Sequence, residues 1–191
     1  TCDEIVENRP LPNGAEGYFA IPRFEKIVLT YGEAVEKIIA LLHKQRNGKV
    51  NNYREGQLDE RYLRLSTKTE QALQTIGEEQ QGHDILIIPT QFGLRHAGRS
   101  VRRALEVMNA TEFGLDPFST GVMLLTHPHR LNHYDDLWID LSGCEYAPNA
   151  GGAFSSALYF YFNDGELGFD SGYVGAPCGR YGSASAFLGS V

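Results

Sequence analysis

A chain of 191 residues with 42% apolar and 11% aromatic residues is long enough to bury one domain's core, which argues against disorder of its bulk. Its formal charge of −7 argues against a general binder of nucleic acid or anionic membrane, since such proteins carry a basic surplus. Three cysteines, Cys2, Cys144 and Cys178, form no CxxC pair. That leaves no zinc ribbon or thioredoxin-type site and points to a reducing, cytoplasmic-type compartment. No apolar run reaches membrane-spanning length, and the first residues lack the basic-then-apolar pattern of a signal peptide.

Residues 1–17 are polar and hold Pro10, Pro12, Gly14 and Gly17, which reads as a flexible arm. Tyr18 to Pro22 follows as an edge strand or anchor, because Pro22 bars it from the middle of a sheet. The apolar spacing of Phe24, Ile27, Val28, Tyr31, Val35, Ile38, Ile39 and Leu42 predicts one long helix from Pro22 or Arg23 to Arg46, docked on its own domain. Asn47-Gly48 supplies its stop. Thr67-Lys-Thr-Glu70 has the form of a capping box and predicts a second helix burying Ala72, Leu73 and Ile76.

Ile85 to Ile88, four branched aliphatics ending at Pro89, predicts a strand buried on both faces. Thr90 to Gly98 reads as a loop. Ser100 then caps a helix that buries Val101, Ala104, Leu105 and Met108. Phe118 to Thr126 reads as another buried strand, with Gly121 inside it, and Leu137 to Leu141 as a third, with Trp138 and Asp140 on its second side. Leu158 to Phe162 and Glu166 to Phe169, joined at Asn163-Asp164-Gly165, carry the strongest hairpin signal.

Helices crowd the first half and strands the second. The expected fold is therefore α+β: a mainly antiparallel sheet from the C-terminal half, mixed if Ile85 to Leu125 forms a strand–helix–strand crossover, with the N-terminal helices packed on it. Residues 18–172 form the domain, and residues 173–191, rich in Gly, Ser and Ala, form a tail lying on it.

Two clusters hold residue types that do chemistry. Arg95, Arg99 and Arg103, with Ser100 opening a helix and Gly93 and Gly98 admitting close approach, form a candidate phosphate or anion site. The run lacks the Lys-Ser/Thr of a P-loop and the spacing of GxGxxG. His127, His129, His133, Asp135 and Asp136 are ligand types for a divalent metal, whose bound water would serve a hydrolase. That run matches neither HExxH nor HxHxD, and Asp135 and Asp136 also suit a plain turn cap before Leu137. No GxSxG is present, and Cys144 beside Glu145 is disfavoured as a thiolate. No complete catalytic set emerges. Gly-rich loops and surface-type aromatics such as Tyr159, Tyr161 and Tyr173 favour a binding or assembly module without catalysis, joined to a protein partner or to further copies of itself. A metal-dependent hydrolase and an anion-binding module are the alternatives.

Overall fold

The computed structural model describes residues 9–189. In chain order its elements are β1 (Gly17–Pro22), α1 (Tyr31–Gln45), β2 (Val50–Asn52), β3 (Leu63–Leu65), α2 (Thr67–Glu79), β4 (Ile85–Gln91), α3 (Val101–Val107), β5 (Glu112–Gly114), α4 (Pro117–Thr126), β6 (Trp138–Asp140), β7 (Cys144–Tyr146), β8 (Ser156–Asn163), β9 (Glu166–Tyr173), β10 (Tyr181–Ser183) and β11 (Ser185–Phe187). The fold is α+β with mainly antiparallel pairing, as the order of elements predicts. A smaller sheet has the order β1-β4-β11-β5, all antiparallel. In the larger sheet β6 and β7 share β8 as partner, β9 also pairs with β8, and β3, β10 and β2 extend it. Its parallel pairs are β10 with β6 and β2 with β9. Neither involves the crossover expected between Ile85 and Leu125.

α1 begins at Tyr31, not at Pro22 or Arg23. Thr30 takes an extended conformation and makes a full capping box with Glu33, which fixes the start there. The apolar residues before it form a short 3-10 turn, Phe24–Lys26, so Phe24 and Val28 pack on the core from outside the helix. α1 buries Ala34, Val35, Ile38, Ile39 and Leu42. α2 is capped one residue earlier than Thr67: Ser66 accepts from the Thr69 amide. α3 starts as expected, with Ser100 accepting from the Arg103 amide, but Leu105 is exposed rather than buried.

The largest correction concerns Phe118 to Thr126. It is α4, a helix, with Asp116 as N-cap and Pro117 in the first turn. Residues Pro117 to Leu124 are all buried. A helix buried all round carries no amphipathic stripe, so its sequence looks like that of a doubly buried strand. Gly121 allows the crossing with α1: a Cβ there would come within 2.9 Å of Ile38.

β4 runs on through Pro89 to Gln91, into the stretch expected as a loop, while Ile85 is half exposed. Its pairing with β11 covers only Gln91 and Thr90 and goes no further, where Pro89 offers no N–H. β1, ending at Pro22, is an edge strand. The expected tail is largely structural: β10 joins the larger sheet, and β11 lies between β4 and β5 with Ala184, Ala186 and Phe187 buried. Small side chains suit this central place, where composition suggested irregularity. The hairpin β8–β9 turns at Asp164 and Gly165, both with positive φ (51° and 83°), as a two-residue loop requires. Residues 1–8 of the expected arm, Cys2 among them, and residues 190–191 lie outside the described region. One core joins both sheets with α1, α2 and α4. Among the described residues no helix is long and apolar enough to cross a membrane.

Candidate functional site

The arginine loop is built around a buried acid. Glu112, on β5, is fully buried. It takes a hydrogen bond from Ser185 Oγ at 2.6 Å, pairs with His96 Nε2 at 2.7 Å, and accepts from Arg95 Nε at 3.1 Å. Burial alone would raise its carboxyl. The His96 and Ser185 hydrogen bonds and the charges of His96 and Arg95 outweigh that and bring it down to about 2. Arg103 pairs with Glu106 at 2.8 Å, and Arg99 donates to the Arg95 carbonyl at 2.8 Å. The Ser100 hydroxyl is spent on capping α3, which has only seven residues. Arg95, Arg99, Ser100 and Arg103 thus each serve a different partner. Gly93 admits another strand, not a ligand: a Cβ there would lie 2.5 Å from the Gly182 carbonyl oxygen.

The His–Asp run is also divided. His127 ends α4, its Nδ1 lies 3.1 Å from the Met123 carbonyl, and its ring packs 4.9 Å from that of Phe19. His129 follows, its ring 6.0 Å from that of His127. Asp136 accepts from the amides of Asn132 (2.6 Å) and His133 (2.8 Å), which is turn capping. His133 and Asp135 sit 3.7 Å apart in solvent. Among the described residues, no three His, Cys, Asp or Glu side chains are grouped as a metal ion would need. Cys144 is buried, and burial first, then the charges of Asp116 and Glu145, pushes its thiol up, so it stays protonated and inert.

What the structure does bring together is a set of aromatic rings on the larger sheet. Alternation along β6 puts Ile139 into the core and Trp138 and Asp140 on the opposite side. Along β8, Leu158 and Phe160 turn inward and Tyr159 and Tyr161 outward. β10 brings Tyr181 beside Trp138. The four rings touch: Trp138 lies 4.7 Å from Tyr161 and 4.9 Å from Tyr181, and Tyr159 lies 5.2 Å from Tyr181 and 5.6 Å from Tyr161. All four are partly exposed.

The neighbouring strand is shaped to hold them. Across from Tyr161 and Tyr159 on β9 stand Gly168 and Asp170. The Tyr161 ring lies over Gly168, where a Cβ would collide with it, and the Tyr159 ring skirts Gly172. Asp170 pairs with Arg54 at 2.8 Å. Arg180 lies 5.0 Å over Trp138 and 4.1 Å over Tyr134, and donates to the Tyr134 hydroxyl and carbonyl. Tyr173, 59% exposed, stands at the end of β9 with Arg102 over it. Asp140, beside the rings and only 8% exposed, has its carboxyl pushed up to about 7 by burial. Burial likewise raises the phenols of Tyr159, Tyr161 and Tyr181. The rings occupy the middle of this face, with the guanidinium groups of Arg54 and Arg180 and the carboxylate of Asp170 beside them.

Tyr159, Tyr161 and Tyr173, singled out by sequence, therefore lie on or beside this face. Tyr181 and the glycines of β9 were missed. The alternation Gly168-x-Asp170-x-Gly172 opposite Tyr159-x-Tyr161 was a readable sign, while the position of Tyr181 depended on a strand hidden in a Gly/Ser-rich stretch. No family model, curated protein or solved structure matches the chain, so these residues stand on their geometry alone.

Proposed function

We propose that the chain is a binding module, without a catalytic step, that engages another protein surface through the outer face of its larger sheet. The single observation that supports this reading is the contact cluster of Trp138, Tyr159, Tyr161 and Tyr181, held partly exposed beside Arg54, Asp170 and Arg180. Tyrosine, tryptophan and arginine are the side chains that protein interfaces favour, because they offer large area for little lost rotamer freedom. Rings already braced against one another lose even less on docking. Covering them removes further apolar area from water, at roughly 25 cal/mol per Å².

A second copy of the chain is the partner to test first. Light scattering and sedimentation over a concentration series, read alongside the fluorescence of the single tryptophan, report both association and burial of Trp138. The expected result is association with a Trp138 emission shift, both lost in a Tyr161→Ser, Tyr181→Ser double variant. If the chain stays monomeric, the same pair of proteins serves as bait, and a genuine partner is retained by the wild type and lost by the variant. A monomer whose retained proteins are the same for both baits would sink the proposal. The other two readings, a divalent-metal hydrolase on His127 to Asp136 and an anion site on Arg95 to Arg103, draw no support from the separate partners of those side chains.

A further inference from the structure

One carboxyl on the aromatic face has no partner. Asp140, on β6, points to the same side of the sheet as Trp138, and only 8% of it is exposed. Among the described residues neither of its oxygens takes part in a hydrogen bond or an ion pair, yet neither is sealed from solvent. A mostly buried acid without a donor is costly, and such a group calls for an explanation.

Strand register gives its surroundings. Ser183, Asp140, Tyr159 and Asp170 stand in one row across β10, β6, β8 and β9. Tyr181, Trp138 and Tyr161 stand in the next row. Tyr159 therefore has an acid on either side. Asp170 is matched by Arg54 at 2.8 Å. Asp140 is unmatched: burial alone holds its carboxyl up at about 7, with no cation acting on it. The groups that face it are neutral. They are the phenols of Tyr159 on β8 and Tyr181 on β10, both raised by burial, and the Ser183 hydroxyl, which also lacks a partner. Arg180 is engaged with Trp138 and Tyr134 instead, and so shows that a ring of this cluster accepts a guanidinium.

These features select a kind of partner. A metal ion would find one carboxylate here, too few ligands. An anionic group would set a second negative charge beside Asp140. A basic side chain needs one acceptor and aromatic faces for its cation and stem, and both are present. The net charge of −7 draws a basic surface in the same sense.

We propose that the docking partner presents a lysine or arginine side chain to this face, its charged end on the Asp140 carboxylate and its stem across Tyr159 and Tyr181. The inference rests on reading this face as a docking surface and adds the chemistry of what docks there. It also fixes a sign. A neutral surface laid over Asp140 would favour the protonated acid, so its binding would weaken as pH rises. A basic side chain requires the ionised acid, so its binding strengthens.

The test uses the whole chain, labelled with ¹³C and ¹⁵N, and three probes: Nα-acetyl-lysine methylamide, its Nε-acetylated form, and Nα-acetyl-glutamate methylamide. The Asp140 carboxyl carbon and the amides of Tyr159 and Tyr181 are the reporters. The lysine probe is expected to shift them saturably and to lower the Asp140 titration midpoint, while the other two leave them still. Its affinity should rise about tenfold from about pH 6 to about pH 8, following the ionised share of a group that titrates at about 7. Asp140→Asn should abolish both the response and its pH dependence. Tyr159→Leu, which keeps Asp140 but removes a ring, should weaken the lysine probe. Should Asp140→Asn unfold, the comparison of probes and the pH series on the wild type decide. Equal response to lysine and its acetylated form, affinity that is flat or falls with rising pH, or an unchanged response in folded Asp140→Asn would overturn the proposal. A partner or second copy that docks on this face yet binds Asp140→Asn as tightly as wild type would sink the basic side chain alone and leave the docking surface standing. Failure of the docking surface itself is read separately, from absent association and capture.

Discussion

Glu112 Oε1 and His96 Nε2 lie 2.7 Å apart in the interior, with both side chains almost wholly shielded from water. This contact, extended by Ser185 and Gln91, ties β5 to the turn after β4 and to β11. Of the arginine-rich stretch it engages Arg95, whose Nε donates to Glu112, and His96. Taking one partner from a buried ionic set leaves the other uncompensated, at about 3–5 kcal/mol. Glu112→Ala should destabilise the fold by that amount in denaturant titrations. His96→Ala should cost less, because Arg95 and Ser185 still serve the acid.

The same carboxyl predicts acid sensitivity. Its folded pKa of about 2 lies below the ordinary 4.5. A depressed carboxyl stabilises above its unfolded pKa, and that stability is lost as pH falls from 4.5 through 2. The contribution at neutral pH is about 3 kcal/mol. Unfolding free energies measured across that window should converge for wild type and Glu112→Gln at the acid end. Parallel curves would show that Glu112 is not the titrating group.

Asp140 works in the opposite direction. Burial raises its carboxyl from 3.8 to about 7. A raised pKa means stability that is fully present below 3.8 and lost as pH rises through 7, worth up to about 4 kcal/mol. Asp140→Asn, which cannot ionise, should be more stable than wild type at mildly alkaline pH, with the advantage shrinking as the solution is acidified. An advantage that does not vary with pH would rule out this origin.

Gly182 is a steric prediction. It and Gly93 face each other so closely that a Cβ on Gly93 would lie 2.5 Å from the Gly182 carbonyl oxygen, and a Cβ on Gly182 would collide with the Gly93 carbonyl. Neither neighbour is a side chain that can turn away. Gly182→Ala should therefore cost about 3 kcal/mol, at the upper end of overpacking. Because β10 carries Tyr181, the Trp138 emission should also change. An alanine variant with native stability and emission would contradict this contact.

Arg23 holds the end of α2. Its guanidinium donates to the carbonyls of Gly77, Gln80 and His83, where a helix C-terminus has acceptors to satisfy. Arg23→Ala should cost about 2 kcal/mol, and Arg23→Lys should recover only part, since one ammonium cannot reproduce the fork. Thermal melts of the two variants check this: each kcal/mol moves the midpoint by about 2–4 °C at this chain length. A lysine variant as stable as wild type would show that charge alone, not the fork, is what matters.

Signals carried by a few adjacent residues were legible without the structure. The Asn163-Asp164-Gly165 turn, the Ser100 cap, the apolar face of α1 and the alternation of Trp138 with Ile139 all read through, because each depends on contacts within one or two turns of chain. So did the α+β class, which follows from the order of helical and extended patterns. Boundaries failed where two local signals competed. Thr30 ended a periodicity that otherwise ran unbroken from Phe24, and Ser66 captured an amide ahead of Thr67.

The sequence by itself determined that the stretch from Tyr31 to Gln45 is helical, though not where that helix starts, and it determined the hairpin and the outward side of β6 and β8, because periodicity and turn chemistry are properties of the local backbone. Only the tertiary structure decided that Pro117 to Thr126 is a helix, that Ser185 to Phe187 fills the space between β4 and β5, and which acid Arg95 serves. It also decided that Trp138, Tyr159, Tyr161 and Tyr181 meet. These outcomes rest on contacts between residues as many as 94 positions apart, and an element buried on every side leaves no polar face in its sequence to announce its period.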